Sequence, residues 1–184
     1  MDDIVKQAMA KWPNVPDCYG WLGLDARGNW YMRDDRAQAQ GAFASGEPGA
    51  KGSMLRHAKL IEFIQRNYSV DTQGRWFFQN GPQRVYVELE VAPWIWRVSD
   101  KAEISAHDGA TVKLKKCLVD ELGWLYFETS LGFGLVHTQD VANAAEAIET
   151  HQWHVQPVQR ADLQALYGFV RSPQSEQPIK KPAQ

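Results

Sequence analysis

Asp25-Ala26-Arg27-Gly28-Asn29-Trp30-Tyr31 has a form that returns at Asp71-Thr72-Gln73-Gly74-Arg75-Trp76-Phe77. It returns again at Asp120-Glu121-Leu122-Gly123-Trp124-Leu125-Tyr126, with Leu125 in the tryptophan slot. An aspartate at the head of such a stretch accepts hydrogen bonds from backbone amides two residues on. Glycine supplies the positive φ that closes the turn, and the bulky residue starts the return strand. Each copy therefore predicts a β-hairpin, and the three together predict an internal repeat.

Helical spacing fills the gaps. Leu60, Ile61 and Ile64 share one face of a helix expected over 53–67, with Ser53 as its cap. Val141, Ala144, Ala145 and Ile148 form the face of a second helix over 139–150, capped by Thr138. Hairpin, loop and helix thus follow the first and third aspartate turns alike. Between them Val85–Val91 alternates, which puts Glu88 and Glu90 on one exposed face, and Trp94–Val98 is a further extended run. Asn80-Gly81-Pro82 and His107-Asp108-Gly109 signal turns. Short helices are expected at 2–12, with Ile4, Val5, Ala8, Met9 and Trp12 at helical spacing, and at 161–170. The stretch 37–52 is expected to be a mobile loop.

The fold class that follows is α+β: two similar hairpin–helix units with antiparallel sheets, plus short terminal helices. The expected boundaries are a docking helix in 1–19, a first unit in 20–91, a second unit with a C-terminal helix in 92–171, and a disordered tail in 172–184.

Bulk composition excludes several classes. Lys and Arg number 20 against 22 Asp and Glu, so no global field draws the chain to nucleic acid or an anionic membrane. No apolar run approaches the roughly 18–20 residues of a membrane span. The 2 cysteines, Cys18 and Cys117, make neither a disulfide framework nor a zinc motif. The acidic start lacks a secretory h-region, and a cytoplasmic location is expected. Tryptophan is the outlier, at 8 residues. Trp94 and Trp96 point to the same side of their strand: core if that side is covered, a partner-binding surface if it is open.

The order of these motifs resembles an uncharacterised bacterial family of domains of unknown function. The resemblance rests on the tryptophan hairpins, the V-x-L-E-V-A-P-W run ending at Trp94 and the Tyr126-Phe127-Glu128-Thr129-Ser130-Leu131-Gly132 run. It implies two repeated α+β motifs and a role in signal transduction. It carries no catalytic residues across.

Candidate chemistry is sparse. Gly46–Ser53 feeds the expected 53–67 helix, whose free N–H groups attract anions, and Lys51, Ser53, Arg56 and Lys59 would supply the contacts. The lysine precedes the glycine, so this is not a P-loop. His151 and His154 stand three apart near a helix end, and His137 lies upstream. Asp34-Asp35 is bracketed by Arg33 and Arg36, a solvated turn. The functional expectation is a non-enzymatic binding or interaction module in signalling, without metal or cofactor, whose partner is a protein or a small anion. The alternatives are an anionic-ligand domain using the 53–67 helix and a metal-dependent hydrolase using the histidines. An exposed hairpin edge is also open to pairing in a homodimer.

Overall fold

A computed structural model of the chain describes residues 1–176. The elements run α1 (Asp3–Lys11), β1 (Cys18–Leu24), β2 (Trp30–Met32), α2 (Asp35–Gln40), β3 (Ser53–Met54), α3 (Ala58–Arg66), β4 (Tyr68–Val70), β5 (Trp76–Asn80) and β6 (Gln83–Leu89). Then follow β7 (Trp94–Val98), β8 (Ile104–Ala106), β9 (Thr111–Val112), β10 (Leu114–Val119), β11 (Leu125–Thr129), β12 (Gly132–Val136), α4 (Val141–Glu149), β13 (Val155–Pro157) and α5 (Leu163–Tyr167).

The aspartate turns form as their residues dictate. Asp25 Oδ1 accepts from the amides of Arg27 and Asn29 at 2.9 and 2.8 Å. Asp71 Oδ1 does the same for Gln73 and Arg75 at 2.9 and 3.0 Å, and Asp120 Oδ1 for Leu122 and Trp124 at 3.0 and 2.8 Å. The glycine at the fourth place has φ of 80–81° in all three. A fourth turn of the same pattern joins β7 to β8. There Ser99 Oγ replaces the carboxylate, accepting from Lys101 and Glu103, and Ala102 stands in the glycine place with φ 58°.

The strands make two mixed sheets. The first has the order β3-β2-β1-β6-β5-β4, the second β13-β10-β11-β12-β7-β8-β9. Antiparallel sheets alone were the expectation, but β1–β6, β12–β7 and β10–β13 are parallel. Turn residues specify only neighbouring strands. Each sheet also places its first strand beside the last of a three-strand meander, and the long intervening chain permits a parallel pair. Read from β3 and from β9, the two strand orders coincide through six places.

That correspondence differs from the hairpin–loop–helix reading. The third aspartate turn, between β10 and β11, sits where the second sits, between β4 and β5; the Ser99 turn sits where the first does. The helices are not equivalent either, since α3 precedes β4 whereas α4 follows β12.

Helix starts also move. Ser53 pairs with Met32 in the first sheet, so α3 begins five residues later, and His57 Nδ1 accepts the Leu60 amide as its cap. His137 Nδ1, not Thr138, accepts the Gln139 amide before α4. The last helix is α5, entered by a 3-10 turn at Arg160–Asp162 and stopped by Gly168 at φ 61°. On α1, Val5 is buried, while Ile4 and Trp12 are exposed. The stretch 37–52 is anchored rather than loose: Phe43 and Ala50 are buried, and a Cβ on Gly23 would lie 2.5 Å from the Phe43 ring. The expected tail falls into two parts. Pro173–Glu176 is a 3-10 turn with Pro173 buried, and 177–184 lie outside the described residues.

One core cluster draws from both sheets, joining Leu22, Trp30 and Val87 to Ile95, Tyr126 and Leu135. A second lies under sheet two around Trp96, Phe127 and Ala144. Trp94 and Trp96 are 8% and 0% exposed, so they belong to this interior and present no partner surface. They stack at 5.9 Å, and the Trp96 indole donates to Phe127 O at 3.1 Å. His107 is enclosed among Trp94 and Trp30, and its Nδ1 accepts the Ile95 amide at 3.3 Å.

Two outcomes are expected. A non-glycine residue in the left-handed region costs about 1–2 kcal/mol, part of it offset by the extra freedom of unfolded glycine. Ala102→Gly should therefore raise the melting temperature by a stabilisation of about 1 kcal/mol; a fall would contradict the turn geometry. Burial pushes the His107 pKa down to about 4, against the opposing pull of Asp108 and Asp25. The unfolded imidazole takes its proton near 6.5, and the folded one holds out to about 4. Stability is thus complete above pH 6.5 and is lost as pH falls through that window. His137 is lowered too, again by burial first and then by Arg97. Urea midpoints measured from pH 7 to 5 should fall, and His107→Gln should flatten the decline.

Candidate functional site

The site begins with a buried carboxylate. Glu88 on β6 is 2% exposed. The alternation of 85–91 correctly put Glu88 on the face opposite its apolar neighbours, but that face is covered. Burial raises the Glu88 pKa, while hydrogen bonds from Ser172 Oγ and the Gln174 amide and the charge of Arg33 pull it back. The Gln174 amide donates to Glu88 Oε1 at 2.9 Å. These bonds fasten residues 170–174 across sheet one. The Leu89 amide donates to Arg171 O at 2.8 Å, and the Val170 amide to Gly74 O at 2.9 Å. Gly74 is obligatory there, because a Cβ on it would lie 2.1 Å from Gly168 O.

Arg33 is 0% exposed. Its Nε donates to Ala50 O at 2.7 Å, and its terminal nitrogens donate to Gly41 O at 2.6 Å and Gly20 O at 3.2 Å. The solvated turn expected at 33–36 is therefore half wrong. Asp34 caps α2 through the Ala37 amide, but Arg33 is an internal tie for the 41–50 loop.

Beside the fastened segment lies a cleft of about 360 Å³, lined by Val91, Glu121, Tyr126, Arg160, Ala161, Leu163, Gln164, Phe169 and Arg171. The third aspartate turn supplies Glu121, and its Asp120 accepts the Tyr126 hydroxyl at 2.9 Å. Burial, then this bond, raises the Tyr126 pKa and keeps the phenol protonated. Arg160 lies over the Trp124 ring at 4.3 Å, and its backbone amide donates to Glu121 Oε2 at 2.9 Å. Arg171 donates through Nη2 to Glu90 O, and its backbone amide to Gln164 Oε1 at 3.0 Å. Its Nε is buried with no partner. Burial, and next the charge of Arg160, lowers its pKa. Arg171 and Gln164 also wall a second cleft of about 320 Å³ with Phe43, Glu88 and Ser172.

The sequence-predicted anion contacts do not gather at a helix start. Lys51 Nζ pairs with Glu90 Oε1 at 2.8 Å. Ser53 is in edge strand β3, Arg56 is exposed between β3 and α3, and Lys59 is exposed on the first turn of α3. His137 is buried, whereas His151 and His154 are exposed. Among the described residues, no three His, Cys, Asp or Glu side chains group to hold a metal. Cys18 is in β1, Cys117 is buried in β10, and both are free. No helix among the described residues is long and apolar enough to cross a membrane.

Sequence reasoning missed Arg160, Arg171, Glu121 and Tyr126. The third turn announced Glu121 and Tyr126, but nothing local announces that 160–171 folds back beside them.

A family model described as "Protein of unknown function (DUF2946)" matches residues 1–174. The chain belongs to the DUF2946 family. No curated protein matches it. Two solved structures are similar to it. One is a DUF1285 family protein from Silicibacter pomeroyi DSS-3, at 11% identity and TM-score 0.45, covering 72% of each chain. The other is a DUF1285 family protein from Shewanella baltica OS155, at 15% identity and TM-score 0.45, covering 68% of this chain and 91% of that one.

In this DUF2946 member the Arg33–Glu88 region should be energetically sensitive. Arg33→Met leaves buried carbonyls without donors and removes the cation facing Glu88. Breaking one side of a buried charge arrangement costs about 3–5 kcal/mol. Chemical denaturation should register a loss of that order; a loss under about 1 kcal/mol would show that the 41–50 loop holds without Arg33.

Proposed function

We propose that this chain is a non-enzymatic binding module whose ligand site is the cleft between the Asp120 turn and residues 160–171. The observation that supports the reading is the state of Arg171. Arg171 lines the cleft and is partly desolvated, with Nε buried and unpaired and no carboxylate bound to it among the described residues. Buried donors are normally satisfied, and an orphan at a cleft wall marks a place where a further group belongs. The volume is at the lower end of the range for small-molecule sites, about 300–1,000 Å³. Under this reading the ligand is the input of the signalling role that the resemblance implies, and a protein partner reads the occupied state.

A thermal-shift screen of small metabolites on wild type and on Ala161→Trp tests it. Ala161 is exposed at the cleft wall, so the indole fills the opening without disturbing the core. A compound at a hundredfold excess over its dissociation constant adds about 2.7 kcal/mol. Shifts are expected in wild type and should vanish in the variant. Shifts that persist in the variant would move the site elsewhere, and a flat screen would count against a small-ligand module.

A further inference from the structure

The apolar side chains of α1 divide between the fold and the solvent. Val5 is the buried residue of the helix. Asp2 ties the helix start to the end of α3: its amide donates to Asn67 Oδ1 at 2.8 Å, and Arg66 Nε lies 3.3 Å from its carboxylate. Ile4, Ala8 and Trp12 follow one another at intervals of four. The Trp12 amide donates to Ala8 O at 2.9 Å, which keeps Trp12 in the helical register. Residues so spaced form one ridge along a helix. Ile4 is 73% exposed and Trp12 50%, with Ala8 half-buried between them.

Two considerations mark this ridge as a docking surface. Isolated helices shorter than roughly 12–15 residues are marginal in water and depend on packing an apolar face. This one has 9 residues, and the fold covers Val5 while the isoleucine and the indole are left in water. Single exposed apolar residues are ordinary, but a large–small–large ridge is the shape that interdigitates with a second helix. The small residue in the middle lets the two backbones approach.

The charges on α1 select the partner helix. Asp2 and Asp3 stand at its N-terminal end, and Lys11 is in its last turn. Asp3 meets only Lys6, at 2.9 Å in an exposed pair of little worth. Lys11 lies 4.5 Å from the centroid of the Trp12 ring and is in no ion pair among the described residues. A second copy of the helix laid antiparallel brings each acidic end to the lysine of the other and sets the two helix dipoles head to tail. A parallel copy would bring like ends together. The ridge is self-complementary in the same sense: with Ala8 at the crossing point, Ile4 of each copy meets Trp12 of the other. Such a contact closes on itself about a two-fold axis. Two aspartates and two lysines balance over 2–12, so nothing in the helix draws it to an anionic membrane instead.

We propose that α1 is a self-association surface, on which two copies of this chain pack their Ile4–Ala8–Trp12 ridges antiparallel about a two-fold axis at Ala8. The ridge is short, so the contact falls below the roughly 1,200 Å² of standard interfaces, and the dimer is a weak one with a dissociation constant in the micromolar-to-millimolar range. None of the cleft residues takes part, and the pairing is independent of the ligand reading.

Sedimentation velocity on the full chain, from about 5 µM to about 1 mM, should show the mass rising from the monomer toward the dimer. Ile4→Ser and Trp12→Ser should each weaken the association at least tenfold. Both side chains are exposed, so the melting temperature of the dilute protein should stay at the wild-type value. Asp3→Lys alone and Lys11→Glu alone should each weaken it too, because like charges then meet at both ends. An equimolar mixture of those two variants should associate as tightly as wild type, since every contact in the mixed dimer again joins opposite charges. A monomer throughout the range would overturn the proposal. A dimer indifferent to both Ile4→Ser and Trp12→Ser would overturn the ridge and place the contact on another surface. A mixture no tighter than its separate components would overturn the antiparallel arrangement, and growth past the dimer would overturn the two-fold axis.

Discussion

A carboxylate inside a sheet has to be satisfied or it destabilises the fold by several kcal/mol. Glu88 imposes that constraint here. It lies on β6, the strand that makes the central parallel pair of sheet one, and is 2% exposed. No neighbour on its own sheet donates to it. The donors come instead from Ser172 and Gln174, and the opposing charge from Arg33. Once 172–174 are fixed, Arg171 is held against β6 through Leu89, and the cleft acquires its cationic wall.

Local chemistry was legible in the sequence where it is decided within a few residues. The aspartate turns are the clearest case, because one side-chain oxygen, two amides and a positive-φ residue lie within five positions. The extended run Trp94–Val98 was likewise readable, and it forms β7. Where tertiary partners decide, the residues misled. Ser53 has the chemistry of a cap, but its backbone pairs with Met32 and the helix starts at Ala58. Alternation told which side of β6 Glu88 occupies and could not tell that the side is covered. Arg33 looked like one of four charges in a polar run, and only its carbonyl partners at positions 20, 41 and 50 reveal an internal role.

The candidate site was illegible for a related reason. The sequence drew attention to a basic helix start, where charge is dense along the chain. The cleft instead assembles its charges across the fold, with Glu121 from a turn in sheet two and Arg160 and Arg171 from around α5. Lys51, one of the four sequence candidates for an anion, is occupied by Glu90. The general lesson is that a cation already facing a carboxylate is a fastening, while one left beside a cavity with unspent donors is a candidate for recognition.

The bond between Ser172 and Glu88 spans 84 positions of the chain. On a ribosome delivering about 5–20 residues per second, Glu88 is made roughly 4–17 s before the donor that completes its site, and the earlier strands of sheet one precede that donor by longer still. During that interval the face that will carry 170–174 has neither of the two donors that Glu88 uses in the finished fold. Synthesis order thereby makes the late segment a lock on the early one, and the cleft has its full wall only once Arg171 has been made.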